Sequence, residues 1–257
     1  MIFYFTATGN SLYAAQSLQK QLGGDMYSIP NLLRQGPLTF TAQPGEYVGF
    51  VFPIFYWGLP DILPRFTAGL TINGAAPERT FILATGGGAT GTACEDLEKA
   101  LAKCGIEAGY KFSVRMGSNY VPEFTMPGPE KVERLLNAAD GKLAKFAALI
   151  KSGKTGDYNK SKGPLYPLVS PIAQRMYPRD TSRFYADGAC TGCGQCERVC
   201  PVSAIRVEGG SPRWVKARCE TCLACLHRCP AQAIQYKKDM RKRGRYVNPR
   251  VIFAETQ

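Results

Sequence analysis

The chain has 257 residues, 45% of them hydrophobic, which is enough for one large domain or two modest domains with a sizeable core. No run of roughly 18 apolar residues occurs, which excludes a transmembrane helix, and the start MIFYFTATGNS lacks the basic segment of a signal peptide. The formal charge of +12 is concentrated in residues 158–257, which hold 18 Lys/Arg against 7 Asp/Glu, whereas residues 1–157 hold 14 against 13; this imbalance favours an acidic partner.

Strand and helix patterns alternate through the first half of the chain. Apolar, β-prone runs occupy residues 2–6, 46–55, 80–85 and, more weakly, 111–116. Helical apolar spacing occurs at 12–22 and near 59–69, 91–104 and 129–152. This alternation predicts an α/β fold with a doubly wound parallel sheet, in which ligands bind beyond the carboxyl ends of the strands.

The first strand leads directly into the sequence T-A-T-G-N-S at residues 6–11, and a helix follows. Backbone N–H groups at a helix amino terminus favour an anion. Hydroxyl groups from Thr6, Thr8 and Ser11 and the amide of Asn10 add neutral donors, and Gly9 allows a tight turn. The pattern suits a phosphate monoester, although an ordinary N-capped helix also explains hydroxyl residues here.

Two further loops follow later strands and should reach the same edge of the sheet. They read P-I-F-Y-W-G-L-P at residues 53–60 and T-G-G-G-A-T-G-T at residues 85–92. Because both come after a strand of the same parallel sheet, we expect them to meet the 6–11 loop at one ligand site.

Cysteine spacing dominates the second half of the chain. The pattern C-x2-C-x2-C-x3-C-P occurs twice, with cysteines at 190, 193, 196 and 200 and again at 219, 222, 225 and 229. Each position of the second run lies 29 residues after its counterpart, and the offset also relates Pro201 to Pro230 and Ile205 to Ile234. The repeat predicts one supersecondary unit used twice.

This spacing is typical of bacterial proteins with two [4Fe–4S] clusters, in which the fourth cysteine of each run ligates the other cluster. We therefore predict two clusters, one held by Cys190, Cys193, Cys196 and Cys229, the other by Cys219, Cys222, Cys225 and Cys200. Zinc also accepts four thiolates and a disulfide framework is a further alternative, but neither needs the doubled rhythm with two Cys-Pro steps. Thiolate clusters favour a reducing, cytoplasmic compartment.

Together these motifs resemble a hybrid family in which a flavodoxin domain precedes a 2[4Fe–4S] ferredoxin domain. The resemblance covers nearly the whole chain and extends to G-S-N-Y-V-P at 117–122 and G-R-Y-V-N-P at 244–249. It implies a five-stranded flavodoxin-like sheet in residues 1–153, a connector at 154–183, a small α+β ferredoxin-like domain at 184–236 and a basic tail at 237–257 that packs back on the body.

The resemblance also implies an FMN site and the residues that form it. The residues expected to bind FMN are Thr6, Ala7, Thr8, Gly9, Asn10 and Ser11 at the phosphate, and Pro53, Tyr56, Trp57, Gly58, Thr85, Gly86, Gly87 and Gly88 around the ring. In flavodoxins a peptide of the second loop can flip and offer its carbonyl group to the reduced flavin, and Gly58 would permit that. The third loop has no aromatic residue, so the outer ring face is either open to substrate or covered by Trp57 or Tyr120. Trp57, Gly58 and Tyr120 are accordingly the candidate catalytic residues.

Two cysteines and one histidine have no ligand role in these predictions. Cys94 and Cys104 lie on the predicted helix at 91–104, and we expect buried structural thiols. His227, the only histidine, lies between Cys225 and Cys229, where we expect a solvated residue or one that supports the cluster from behind its ligands.

These features predict an FMN- and iron–sulfur-dependent oxidoreductase that passes single electrons between a protein donor, two [4Fe–4S] clusters and FMN, and reduces a small acceptor at the flavin. The alternative is a pure electron carrier without a small-molecule substrate. The expected partner is an acidic redox protein, either a ferredoxin or a flavodoxin. The basic run at 237–245 lacks interleaved aromatic residues, so nucleic-acid binding is not expected.

Overall fold

The computed structural model describes residues 1–163 and 165–253. Pro164, within the expected connector, and residues 254–257 of the expected tail lie outside the described residues. The strands in chain order are β1 Ile2–Tyr4, β2 Met26–Ser28, β3 Leu38–Thr41, β4 Val48–Pro53, β5 Leu70–Asn73, β6 Thr80–Gly86, β7 Tyr110–Arg115, β8 Gly156–Asp157, β9 Phe184–Ala186, β10 Ile205–Glu208, β11 Ser211–Trp214 and β12 Ile234–Tyr236. The α-helices are α1 Asn10–Leu22, α2 Ile29–Gln35, α3 Ile62–Thr67, α4 Ala93–Ala102, α5 Pro129–Lys151, α6 Tyr166–Met176, α7 Gln195–Arg198 and α8 Ala224–His227.

A parallel sheet with the strand order β2-β1-β4-β6-β7-β8 forms the centre of the larger domain. Counted within this sheet, its first five strands have the flavodoxin order 2-1-3-4-5. The predicted doubly wound α/β fold is therefore confirmed. Strands β3 and β5 pair separately as a two-stranded parallel sheet.

The expected number of five strands is wrong, because β8 adds a sixth at the edge beside β7. This strand has only two residues, both exposed, and its sequence Gly-Asp has no apolar alternation. A strand so short leaves no periodic pattern in the sequence, so only the tertiary pairing reveals it.

Helices cover both faces of the sheet and bury two hydrophobic cores. One core joins side chains of α1 and α5 to Ile2, Tyr4 and Val51 of the sheet. The other joins α3 and α4 to Phe3, Phe50 and neighbouring strand residues. Strands buried on both faces explain why the first half of the chain contains continuous apolar runs instead of alternating ones.

The two remaining cysteines of the larger domain lie close to the second core. Cys94 is fully buried there, as expected, and burial raises the pKa of its thiol. Cys104 is only half-buried, and its thiol lies 2.9 Å from the carbonyl oxygen of Thr67.

The carboxyl-terminal unit repeats its structure with the 29-residue offset seen in the sequence. Helix α7 corresponds to α8, and β10 corresponds to β12. The left-handed backbone positions also correspond, as the φ values show for the pairs Gly192 and Thr221, Gly194 and Leu223, and Ser203 and Gln232. Two antiparallel strand pairs, β9 with β12 and β10 with β11, complete this small α+β unit.

Cysteine-bearing segments pack directly onto the larger domain. The guanidinium of Arg34 on α2 donates to the carbonyl group of Cys200 at 2.8 Å. Cys222 and Ala224 belong to the same buried core as Phe55 and Ile62. The cysteine region therefore packs against the sheet domain and shares a buried core with it.

None of the helices within residues 1–163 and 165–253 is long and apolar enough to cross a bilayer.

Gly49 in β4 offers a test of this packing. A Cβ atom at Gly49 would lie 2.2 Å from Cζ of Phe81, whose ring is fully buried. We expect Gly49→Ala to lower the free energy of unfolding by about 1–3 kcal/mol, because the core must shift to admit a methyl group. Gly141→Ala in α5, where the added Cβ meets nothing within 4 Å, should instead stabilise by about 0.5–1 kcal/mol. Urea unfolding under anaerobic conditions measures both, and equal midpoints for the two variants would contradict this account of the core.

Candidate functional site

A cavity of about 790 Å³ opens at the carboxyl ends of β4, β6 and β7. Its walls include residues 54–57 after β4, residues 86–89 at and after the end of β6, and residues 118–120 after β7. Side chains of α6 form another wall. Two of the three predicted loops therefore meet around one cavity, at the edge of the sheet where parallel-sheet proteins bind their ligands.

The second loop presents its aromatic side chains from a strained turn. Reciprocal backbone hydrogen bonds join Phe55 and Gly58 at 3.2 and 3.0 Å. Tyr56 and Trp57 between them both have positive φ angles, 46° and 59°. Left-handed backbone costs a residue with a side chain roughly 1–2 kcal/mol, so the fold holds these two aromatics at the cavity against a local conformational preference.

Gly58 and Pro53 do not line the cavity. A Cβ atom at Gly58 would lie 2.4 Å from the side-chain amide of Gln174 on α6. That amide donates to the carbonyl groups of Phe55 and Tyr56, the second at 2.8 Å. Glycine at this position therefore allows α6 to pack closely over the turn, and the expected carbonyl flip at Gly58 stays a prediction.

The 6–11 loop lies beside the cavity and is connected to it by side-chain hydrogen bonds. The Thr8 hydroxyl accepts from the side-chain amide of Asn119 at 3.1 Å. The hydroxyl groups of Ser11 and Thr85 lie 2.8 Å apart. The Gly9 N–H donates to the Thr6 hydroxyl at 3.1 Å, and α1 begins at the next residue. Hydroxyl groups are thus gathered at a helix amino terminus, where backbone N–H groups lack intrahelical acceptors.

Residues near the carboxyl terminus cover the outside of the same loop. The backbone N–H of Asn248 donates to the carbonyl group of Thr8 at 2.8 Å. The side-chain oxygen of Asn10 accepts from the Tyr246 hydroxyl at 2.7 Å, while its amide donates to the Gly117 carbonyl at 2.9 Å. A Cβ atom at Gly9 would lie 2.6 Å from Val251, so glycine is needed there for space as well as for its φ of 99°. Ala7 lies buried in the second core.

The glycine run after β6 leaves one side of the cavity open. A Cβ at Gly88 would meet nothing within 4 Å, and one at Gly86 would only touch Ile54 at 3.5 Å. Gly87 is different, because a Cβ there would lie 2.8 Å from Ser118 of the neighbouring loop. The run therefore provides exposed backbone for a flat ligand at two positions and close loop packing at the third.

A hydrogen-bonded group of side chains reaches from the cavity wall to solvent. The Tyr56 hydroxyl donates to the exposed carboxylate of Glu123 at 2.5 Å, and the Tyr120 hydroxyl lies 3.3 Å from that of Tyr56. Burial raises the pKa of Tyr120. Its phenol is therefore neutral and retains a proton at the cavity wall.

The eight motif cysteines line two small cavities. We call Cys190, Cys193, Cys196 and Cys229, which line one, the outer set. We call Cys200, Cys219, Cys222 and Cys225, which line the other, the inner set. Each set takes three cysteines from one motif and the fourth from the other. This is the crossed grouping expected from the spacing, while ligation itself stays a prediction.

Within the described part of the chain, no three His, Cys, Asp or Glu side chains are placed to hold a single ion. A four-iron cluster keeps its four thiolates apart because the iron–sulfur core lies between them. Burial also raises the pKa of Cys196 to about 11 and that of Cys222 well above its usual value, so these thiols are protonated until a cluster displaces the protons.

The inner set lies next to the large cavity. Cys222 lines both its own small cavity and the large one, together with Thr221 and Leu223. Buried Tyr177 connects the two, because its hydroxyl donates to the carbonyl groups of Glu220 and Thr221 at 3.0 Å each. The ring of Tyr177 lies 4.9 Å from that of Tyr56, centroid to centroid.

Sequence reasoning missed the structural roles of Tyr177 and His227. His227 is buried, which lowers its pKa to about 4. Its Nδ1 accepts from the backbone N–H of Tyr246 at 3.1 Å, so Nε2 carries the proton and donates to the Asn119 carbonyl at 2.6 Å. A signal existed, because the repeat offset pairs His227 with Arg198, and the two halves differ there. For Tyr177, in the expected connector, no comparable signal exists.

Residues 184–245 match a family model described as "4Fe-4S dicluster domain". All eight motif cysteines lie within the matched segment. The dicluster domain follows a parallel sheet with the flavodoxin strand order, so the predicted resemblance to the flavodoxin–ferredoxin hybrid family is confirmed. Iron–sulfur clusters are accordingly part of this protein's chemistry.

Similarity to curated proteins is short. A stretch of 48 residues is 40% identical to one component of an ion-translocating oxidoreductase complex of Methanosarcina acetivorans. The stretch covers 19% of this chain and only 18% of that protein.

Solved structures also align with this chain. One is described as a flavoprotein from Bacteroides uniformis (18% identity, TM-score 0.32, 53% of this chain and 96% of that one). Another is the Trp repressor binding protein from Bacillus subtilis (12% identity, TM-score 0.35, 56% and 96%). Both TM-scores are low, so the fold assignment rests on the strand order instead.

Pairs of alanine variants test the crossed grouping. Cys193→Ala with Cys229→Ala changes only the outer set, so the protein should retain about four irons. Cys193→Ala with Cys200→Ala changes one cysteine of each set, so it should retain far fewer. Iron and acid-labile sulfide analysis, with electron paramagnetic resonance of the reduced protein, measures the difference. The reverse order of iron contents would show that each motif holds its own cluster.

Replacing His227 tests its bridging role. His227→Phe leaves the Asn119 carbonyl and the Tyr246 N–H without their buried partner, and each unsatisfied group costs about 1–3 kcal/mol. We expect the free energy of unfolding to fall by about 2–4 kcal/mol in total. His227→Gln can restore one of the two hydrogen bonds. Its free energy of unfolding, measured by anaerobic urea unfolding, should therefore lie between those of His227→Phe and the wild type. A wild-type midpoint for His227→Phe would refute the bridge.

Proposed function

We propose that this protein is an electron-transfer oxidoreductase that passes single electrons between a protein donor, two [4Fe–4S] clusters and FMN, and that reduces a small acceptor at the flavin. The observation that carries the proposal is that Cys222 lines the same cavity as residues 54–57 and 86–89. A cluster held by the inner set would therefore lie beside the cavity in which the family places its flavin ring.

The residues around the cavity fit FMN. A volume of about 790 Å³ lies within the range of roughly 300–1,000 Å³ typical of cofactor sites. Backbone at Gly86 and Gly88 is open to a flat ring, and Tyr56 and Trp57 are held at the opposite loop. The hydroxyl-rich 6–11 loop at the start of α1 suits a terminal phosphate group. When bound, FMN supplies exchange between one-electron and two-electron chemistry.

Each part of the site has a separate task in this proposal. Thr6, Thr8 and Ser11 bind the phosphate together with the first N–H groups of α1. Tyr56 and Trp57 flank the ring, and the strained turn keeps them in place before the ligand arrives. The neutral Tyr120 phenol offers a hydrogen bond at the cavity wall, and the exposed Glu123 carboxylate connects this group of side chains to solvent through Tyr56.

The eight cysteines suit the cluster role because their thiolates hold iron while the protein excludes water from the inner set. Clusters of this type transfer single electrons at low potential. The matched protein from Methanosarcina acetivorans is described as part of an oxidoreductase complex, and this supports an electron-transfer role for the shared 48 residues.

A small acceptor is supported by the extent of the cavity. Beyond the flavin loops it continues to Phe124 and Lys131 and to Val169, Ile172 and Met176 of α6. This wall is mostly apolar, with a few polar groups, as in sites for small organic molecules. A carrier that reacts only with proteins does not need such space beside its flavin.

Anaerobic purification followed by cofactor analysis tests the proposal. We expect about one FMN and about eight irons per chain, and stepwise dithionite titration should reduce both cofactor types. The photoreduced protein should then be reoxidised by members of a panel of small organic acceptors. Absence of flavin, or fewer than about eight irons, would refute the cofactor assignment. Reoxidation by redox proteins alone would establish the pure carrier instead.

A further inference from the structure

The outer and inner cysteine sets differ in their contact with solvent. Three members of the inner set, Cys200, Cys222 and Cys225, are buried. In the outer set only Cys196 is buried, and Cys193 is exposed. Since the inner set also borders the large cavity, the outer set is the one that an external protein can approach.

A shallow groove of about 800 Å³ lies beside the outer set. Cys229 of the outer set forms part of its wall, with Gln195, Arg198, Arg228 and Phe253. We call it the outer groove. Electron transfer between proteins needs close approach to the redox centre. A protein that binds in the outer groove would reach Cys229, one of the four cysteines of the outer set.

Two arginine side chains give the outer groove a positive charge. The exposed guanidinium of Arg198 donates to the Cys193 carbonyl and to the side-chain oxygen of Gln195, both at 3.0 Å. It therefore rests on the loop that carries the outer cysteines. The Arg228 guanidinium lies 3.6 Å from the centroid of the Phe253 ring, which fixes its position at the other side of the groove.

Within residues 1–163 and 165–253, the acidic side chains Glu197 and Asp187 near the outer set have basic partners. Glu197 accepts from Arg206 and from the backbone N–H of Val207, both at 2.8 Å. Asp187 forms an ion pair with Arg241 at 3.1 Å. These carboxylates therefore do not cancel the charge of Arg198 and Arg228. Residues 158–257 as a whole carry 18 basic residues against 7 acidic ones, and this net excess of +11 is larger than the roughly −4 that two oxidised clusters with eight thiolates would add.

We propose that the outer groove is the docking surface for a small acidic electron-carrier protein. This inference rests on the proposed electron-transfer function and specifies where the protein donor binds. The step it describes is balanced: the carrier loses one electron, the cluster held by the outer set gains it, and no bond or proton changes place. Opposite charges accelerate such encounters, and salt screens them.

Rapid mixing with two donors of opposite charge tests the docking surface. The acidic donor is a reduced plant-type [2Fe–2S] ferredoxin, and the cationic donor is reduced methyl viologen. With Arg198→Glu we expect cluster reduction by ferredoxin to slow about tenfold at low ionic strength, and the difference from wild type to shrink toward none at roughly 1 M salt. The same variant should react faster with viologen, because the added carboxylate attracts the cation.

Matched variants control for charge and structure. Lys145→Glu makes the same charge change at an exposed position of α5, a helix of the sheet domain that does not line the outer groove. With this variant, both donors should react at rates within about twofold of wild type. Arg198→Lys should retain most of the ferredoxin rate. If Arg198→Glu impairs cluster assembly, Arg198→Gln replaces it in the test, because the glutamine amide can still donate to the Cys193 carbonyl. Arg198→Gln should slow cluster reduction by ferredoxin less than Arg198→Glu does, and it should leave reduction by viologen unchanged.

The outcomes separate the docking proposal from the proposed function. Equal slowing with both donors would assign Arg198 a structural role and overturn the docking proposal. So would unchanged ferredoxin kinetics in Arg198→Glu, provided that viologen still reduces the flavin through the clusters. If viologen reduces the clusters of the wild-type protein but electrons never reach the flavin, the proposed function itself fails.

Discussion

The hydroxyl group of Tyr177 holds the inner cysteine loop against the sheet domain by donating to two consecutive backbone carbonyls, those of Glu220 and Thr221. Both carbonyls are removed from water, and a buried carbonyl without a partner is costly. The same ring packs against Tyr56 and Phe55. Buried Tyr177 thus helps to hold the inner cysteines beside the cavity, and the electron-transfer proposal depends on that proximity.

A second set of contacts joins Tyr246 near the carboxyl terminus to the inner cysteine loop and to the 6–11 loop. His227 follows the inner cysteine Cys225, and its two ring nitrogens hold Tyr246 and the loop of Asn119. Asn119 in turn donates to Thr8 of the 6–11 loop. The cysteine-bearing unit, the tail and the 6–11 loop therefore share one hydrogen-bond network, and a shift in one part must be accommodated by the others.

Left-handed backbone occurs both at the large cavity and in the cysteine loops. The left-handed backbone at Tyr56 and Trp57 lies at the cavity and not in the supporting sheet. In the cluster domain, left-handed positions are taken by Gly192 and Gly194 in the outer loop, but by Thr221 and Leu223 in the inner one. The inner loop accepts this strain because its side chains are buried against the larger domain. The outer loop, with an exposed cysteine, uses glycine instead.

Local sequence patterns determined the fold class and the grouping of the redox motifs. Continuous apolar runs predicted a sheet buried on both faces, and the cysteine spacing predicted the crossed sets, because both depend on residues close together in the chain.

The pattern did not reveal β8, whose two exposed residues pair only because β7 lies beside them. Nor did it reveal that Gly58 serves the packing of α6, or that Tyr177 and His227 join the domains. Those contacts connect residues up to about 120 positions apart, and only the packed chain decides which buried polar groups must find a partner. The same packing decided which cysteine set faces the cavity, because the cysteine and proline spacing is the same in both motifs and does not by itself place either one.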